Sequence, residues 1–152
     1  MNTLVKIKSE LTEALKAGGT AKALALRYLL AEIHNAEIAK GKDAQLTDEE
    51  LAVVLQKQVK QRQESIEAYK AGGRDDLVKK EQSELNLIKS YLPEQLSEEE
   101  IRELAQAVVK EVGVQGLADM GKVMGVLMPK IRGRADGSLV GGIVRELLSQ
   151  NG

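Results

Sequence analysis

The stretch ADMGKVMGVLMPKIRGRADGSL, residues 118–139, decides the fold class of this chain. Asp119 can cap a helix start, because a carboxylate accepts free backbone N–H groups of a first turn. Met120, Val123, Met124 and Leu127 follow at helical spacing on one face. Gly121 and Gly125 stand one turn apart, where another backbone can come close. Close packing inside a compact helical unit is the expected use of that pair. Pro129 disfavours helix at Met128, so the helix should end or kink there. A short basic connector follows, from Lys130 through Ile131, Arg132 and Gly133 to Arg134. Asp136 then caps a second helix. The predicted arrangement is helix, cationic loop, helix.

The rest of the chain reads the same way. Leu4, Ile7, Leu11 and Leu15 mark an amphipathic helix over Met1–Ala17, broken by Gly18 and Gly19. Leu26, Leu29, Leu30 and Ile33 mark a second over Ala21–Lys40. Thr47 and Glu50 form a capping box, each side chain able to satisfy a backbone donor. It opens a third helix reaching Ala71, with Leu51, Leu55, Val59, Ile66 and Tyr69 inward. Gly72 and Gly73 make a turn. A fourth helix starts at Asp75 or Asp76, turns Leu77, Leu85, Ile88 and Leu92 inward, and ends at Pro93. Ser97 and Glu100 form a second capping box, before a stripe of Ile101, Leu104, Ala105, Val108, Val109 and Val112. After residues 118–139 begin, a last helix carries Leu139, Val140, Ile143, Val144, Leu147 and Leu148. No segment alternates as a strand would. The expected fold is all-α: a four-helix region over residues 1–93, then a compact three-helix region over residues 94–152.

Composition narrows the chemistry. The 152 residues hold no Phe, no Trp, no Cys and three Tyr. Aliphatic residues and Met must build the core. Stacking platforms for single strands need aromatics, which are nearly missing. Without Cys there is no disulfide, thiolate nucleophile or Cys-based metal site. A formal net charge of −1 leaves no global basic field, so binding to nucleic acid would need a local patch. One exists: Lys122, Lys130, Arg132 and Arg134 follow one another with no acid between them, while acids crowd into Glu98–Glu103. The plain alternative is a solvated loop. No apolar run is long enough for a membrane span, and the N-terminus lacks a signal peptide's apolar core. A cytoplasmic location is the expectation.

Other constellations favour structure over chemistry. Residues 116–123 look like a Walker A loop, but Val123 replaces the hydroxyl residue that would hold Mg²⁺, and a helix precedes where a strand should. Met120, Met124 and Met128 can form an adaptable partner surface, although core is the reading for Met120 and Met124. His34 is the only histidine and has no carboxylate cluster or nucleophile beside it in sequence, so no metal site and no catalytic residue is expected. Arg62, Glu81 and Glu84 interrupt apolar stripes and would be costly to bury unpaired. The link through Gly72, Gly73 and Arg74 is short enough to force an antiparallel hairpin. Roughly equal distances from the turn then match Tyr69 with Leu77, Val59 with Ile88, and Arg62 with Glu84. An Arg62–Glu84 salt bridge is predicted as a structural feature, with Glu81 one turn away as the alternative acceptor.

Three segments, residues 91–97, 119–125 and 128–137, resemble the YqeY family, whose unit also forms the tail of the GatB subunit of tRNA-dependent amidotransferases and an appendage of some glutaminyl-tRNA synthetases. The resemblance covers nearly the whole chain. It implies an all-helical fold and a noncatalytic tRNA-binding module, with Lys122, Lys130, Arg132 and Arg134 on RNA phosphates. Amidase chemistry belongs to other subunits and to the body of GatB, so a catalytic role and a cofactor are not implied. An amidotransferase or a synthetase is the implied protein partner; DNA and membrane are not. The rival readings are a protein-interaction adaptor and a non-catalytic subunit of glutamine-dependent carbon–nitrogen ligation.

Overall fold

The computed structural model describes residues 2–113 and 116–151. Met1, the expected start of the first helix, lies outside them. Among the described residues there are seven α-helices, one turn of 3-10 helix and no strand. The fold is all-α, and the chain divides into two compact units, Met1–Leu92 and Pro93–Gly152.

In the first unit, α1 spans Thr3–Lys16, α2 Thr20–Lys40, α3 Asp48–Ala71 and α4 Asp75–Lys89. Local chemistry sets the ends. The Asn2 side chain accepts the Val5 N–H at 2.8 Å and starts α1. At the start of α3 the Thr47 hydroxyl takes the Glu50 N–H, and the Glu50 carboxylate takes the Thr47 N–H. Glu50 also receives the Lys40 ammonium at 2.6 Å, and Lys40 donates to the Gln45 carbonyl. The last turn of α2 is thereby clipped to the first turn of α3. The Lys40 hydrogen bond, and then the capping N–H of Thr47, hold the Glu50 carboxyl down to about 2. Gly73 takes φ +69° in the turn before α4, a conformation that glycine adopts without steric cost.

The core of this unit joins Ile7, Leu26, Leu29, Ile33, Leu51, Leu55, Ile88 and Tyr91. Tyr91 closes it: its ring is buried, its hydroxyl donates to Glu10, and Lys6 lies 5.7 Å from the ring centroid. Burial and that acceptor both push the Tyr91 phenol well above its ordinary range. Of the expected α1 stripe, Leu4, Ile7 and Leu11 face this core and only Leu15 departs from it. Ala14 is buried and Leu15 is half exposed.

In the second unit, α5 spans Glu98–Val112, α6 Met120–Ile131 and α7 Gly137–Asn151. The Ser97–Glu100 capping box is formed. The core takes Ile101, Ala105 and Val108 from α5, Val123, Leu127 and Ile131 from α6, and Val140, Ile143, Val144 and Leu148 from α7. Met120, Met124 and Met128 are half-buried against it. Leu104 and Leu139, both expected inward, are exposed.

Pro129 does not end α6, which continues to Ile131. A helical proline leaves the carbonyl four residues earlier without its donor. That carbonyl belongs to Gly125, which is exposed, so solvent can take over the bond. The start of α6 also differs. A single 3-10 turn, Leu117–Asp119, leads into it, and the Asp119 carboxylate does not cap its first turn.

Candidate nucleic-acid interface

The cationic connector is a fixed turn. The Arg132 N–H closes α6 on the Met128 carbonyl at 2.8 Å, and the Arg134 N–H returns to Ile131 at 2.9 Å. Gly133, at φ +84°, makes the reversal between them and is buried. The segment before α5 then grips this turn. The Leu96 N–H donates to the Arg134 carbonyl at 2.8 Å, and the Gln95 amide donates to the Gly133 carbonyl at 2.9 Å. Ala135 is buried just beyond. Two residues whose backbone is held in this way, Arg132 and Arg134, point exposed side chains outward. A cation on a restrained backbone loses less entropy on meeting an anion than one on a free loop.

Lys130 and Lys122 are on α6, two turns apart, which is about 12 Å along the axis. Lys122 is exposed in the first turn of α6, and Lys130, Arg132 and Arg134 are exposed in its last turn and just beyond. Acids approach these cations, one of them from a neighbouring helix. Lys130 lies 3.6 Å from Glu111 of α5, and Lys122 lies 3.7 Å from Asp119. The Arg134 Nε–H reaches the Glu94 carbonyl at 3.4 Å. Hydrogen bonds from Ser97, its backbone N–H first, lower the Glu100 carboxyl, and the nearby Arg134 charge adds to the effect. The acid-free run of residues 120–135 is therefore not acid-free in space. Among the described residues, neither Arg132 nor Arg134 forms an ion pair within 4 Å, and of the two Arg134 hydrogen-bonds a backbone carbonyl.

Gly121 and Gly125 do not mediate the close packing expected of them. A Cβ on either would meet nothing within 4 Å. The inner line of α6 is Val123, Leu127 and Ile131, and each glycine precedes a member of it by two residues, about 200° around the helix. Both are exposed, on the outer face with Lys122. Glycine in a helix interior, as at Gly125, costs up to about 1 kcal/mol relative to alanine, and less in the first turn, where Gly121 stands. Gly125→Ala should raise the stability of the second unit by up to that amount and Gly121→Ala by less, read as the upward shift of its thermal unfolding by circular dichroism. A loss of stability would mean that a neighbour packs against that face after all.

The structural cluster of the first unit is formed as a triad. Arg62 Nη1 lies 3.1 Å from Glu81 and 3.5 Å from Glu84. The predicted Glu84 contact is present, but Glu81, the alternative, is nearer and donor and acceptor are hydrogen-bonded. The Arg62 guanidinium also lies 5.0 Å from the Tyr28 ring centroid. Burial acts to lower the Arg62 pKa, and its bond to Glu81 with the charges of both acids raises it above the ordinary value. These groups line a groove of about 1230 Å³ between α2 and α4. His34 is exposed on α2, and no group of three or more His, Cys, Asp or Glu is arranged to hold a metal among the described residues.

Comparison with known proteins adds the family. The model of the Yqey-like protein family matches residues 4–148. The chain is 34% identical over 134 residues to "Altered inheritance of mitochondria protein 41, mitochondrial" of Pyrenophora tritici-repentis, covering 87% of this chain and 72% of that protein. It is 41% identical over 91 residues to the protein of the same name from Eremothecium gossypii, covering 60% of this chain and 49% of the relative. The protein of that name in Saccharomyces cerevisiae is 41% identical over 87 residues, 57% of this chain and 46% of its own length. The chain thus spans about half the length of the last two. Their names overturn the cytoplasmic expectation and point to mitochondria. That expectation rested on the missing cysteines and missing apolar spans, which constrain redox chemistry and membrane insertion but specify no compartment.

Proposed function

This chain belongs to the YqeY family, and from that premise we propose that its second unit is a noncatalytic module that binds the backbone of structured RNA, tRNA foremost. The observation that carries the reading is the restrained cationic turn. The Gln95 side-chain amide donates to the Gly133 carbonyl and the Leu96 N–H to the Arg134 carbonyl, which fixes the turn that carries Arg132 and Arg134. Guanidinium groups suit phosphate, which they can hold by two parallel bonds. Phosphate contacts position a nucleic acid without reading its sequence. Folded RNA is recognised largely through backbone, shape and 2′-hydroxyls, which requires no aromatic platform. The bare glycine face of α6 supports the same reading, since a sugar-phosphate strand could lie against it with no side chain in the way. In this reading the module brings tRNA to an amidotransferase or an aminoacyl-tRNA synthetase and performs no bond chemistry itself.

A titration of the purified chain with tRNA at two salt concentrations tests it. Binding should weaken with salt at a log–log slope of roughly −3, as three to four phosphate contacts release their counterions. Absence of binding at low salt, or binding indifferent to salt, would reject the RNA reading and leave the protein-adaptor one.

A further inference from the structure

Helix α2 is apolar on two opposite faces. One face supplies Ala23, Leu26, Leu29 and Ile33 to the core of the first unit, all buried. The other face carries Leu24, Tyr28, Ala31, Asn35 and Ile38, all exposed. Leu24 and Ile38 are each 62% exposed and Tyr28 is 48% exposed. A helix that is apolar all round is ordinarily covered all round.

The spacing of the outer face is specific. Its steps run four, three, four, three, which is the d–a–d–a–d order of a heptad seam. Asn35 falls at an a position, where a lone polar residue fixes register and favours two strands. Arg27 then falls at g and Glu32 at e. Among the described residues neither forms an ion pair within the chain.

We propose that the outer face of α2 is a self-association surface, on which a second copy of this chain docks its own α2 parallel and in register. Charge selects that occupant and that direction. In a parallel pair each g residue faces the e residue five positions on in the partner helix. Arg27 therefore meets Glu32 of the second copy, and by symmetry the contact forms twice. An antiparallel copy sets g against g and e against e, which gives Arg27 no acid. Parallel register also places the two Asn35 amides opposite each other, where each can donate to the other. Leu24 and Tyr28 line the groove between α2 and α4, which gives the second helix room beside the seam. The Arg62 guanidinium already lies 5.0 Å from the Tyr28 ring centroid, so this anchor is positioned before association. The seam is short, so the dimer is concentration-dependent.

Sedimentation equilibrium of the full chain from roughly 10 µM to 1 mM tests this, a range that spans weak association. The wild type should pass from monomer to dimer. Arg27→Glu should weaken the dimer about fivefold or more, because both attractive pairs become repulsive. Arg27→Glu combined with Glu32→Arg should restore it. Both positions are on the surface, and an unchanged helical circular dichroism spectrum shows that the variants fold. A chain that stays monomeric throughout, or a dimer indifferent to the charge reversal, would overturn the proposal.

Discussion

Arg62→Met should destabilise the first unit by about 3 kcal/mol, the low end of the 3–5 kcal/mol range for stranding a buried charge. The low end applies because the cluster still touches solvent: the Glu81 and Glu84 side chains are 11% and 22% exposed. Without the guanidinium these two carboxylates are left close together on α4 with no cation between them. One must take up a proton or move to solvent, and either change costs stability at neutral pH. The Tyr28 ring also loses its cation, a loss of about 0.5–1 kcal/mol. Removing the acids as well, in Arg62→Met with Glu81→Met and Glu84→Gln, should recover much of the loss, because no uncompensated charge remains. The three groups touch one another, so their effects should not add. All three tyrosines fall in residues 1–92. Urea unfolding followed by tyrosine fluorescence therefore reports this unit alone. If the single variant falls within 1 kcal/mol of wild type, or the triple variant is worse than the single one, the triad does not act as a coupled unit.

This cluster also marks how far the sequence could be read. The hairpin register followed from three turn residues, and counting outward from them placed Arg62 opposite the acids. Counting chooses Glu84 over Glu81, whereas the structure brings Glu81 nearer, because the final choice depends on how the helices tilt. The capping boxes at Thr47 and Ser97 were legible because all their partners lie within four residues. The glycines of α6 misled for a different reason. Their spacing fits close packing, but which face turns inward is set by Val123, Leu127 and Ile131, whose larger side chains gain more from burial. Reading that line first would have placed Gly121 and Gly125 outside. The grip of Gln95 and Leu96 on the cationic turn joins residues 38 apart, and no local pattern announces it. Glu111 beside Lys130 is hidden in the same way, because a run free of acids along the chain need not be free of acids in space.

Those neighbouring acids shape the largest effect expected on binding. Replacing Lys130, Arg132 and Arg134 together by Ala should reduce tRNA affinity by about 100-fold at low salt and reduce the salt slope by roughly 2–3. Each cation on a phosphate contributes one released counterion, so the slope counts contacts independently of the affinity itself. The fold should persist. Arg132 has no ion pair to lose, and the Lys130–Glu111 pair is half exposed on both sides, a class that contributes little. The bonds that hold the turn run from Gln95 and Leu96 to backbone carbonyls, which alanine retains. Single substitutions should rank by how free each cation is. Arg132→Ala should cost more than Lys130→Ala, because Glu111 already draws on the Lys130 charge. Glu111→Gln should act in the opposite direction and strengthen binding, by releasing Lys130 and removing a repulsion for phosphate. A folded triple variant with unchanged affinity and slope would show that this turn does not contact RNA. A change in affinity with no change in slope would assign its role to shape rather than charge.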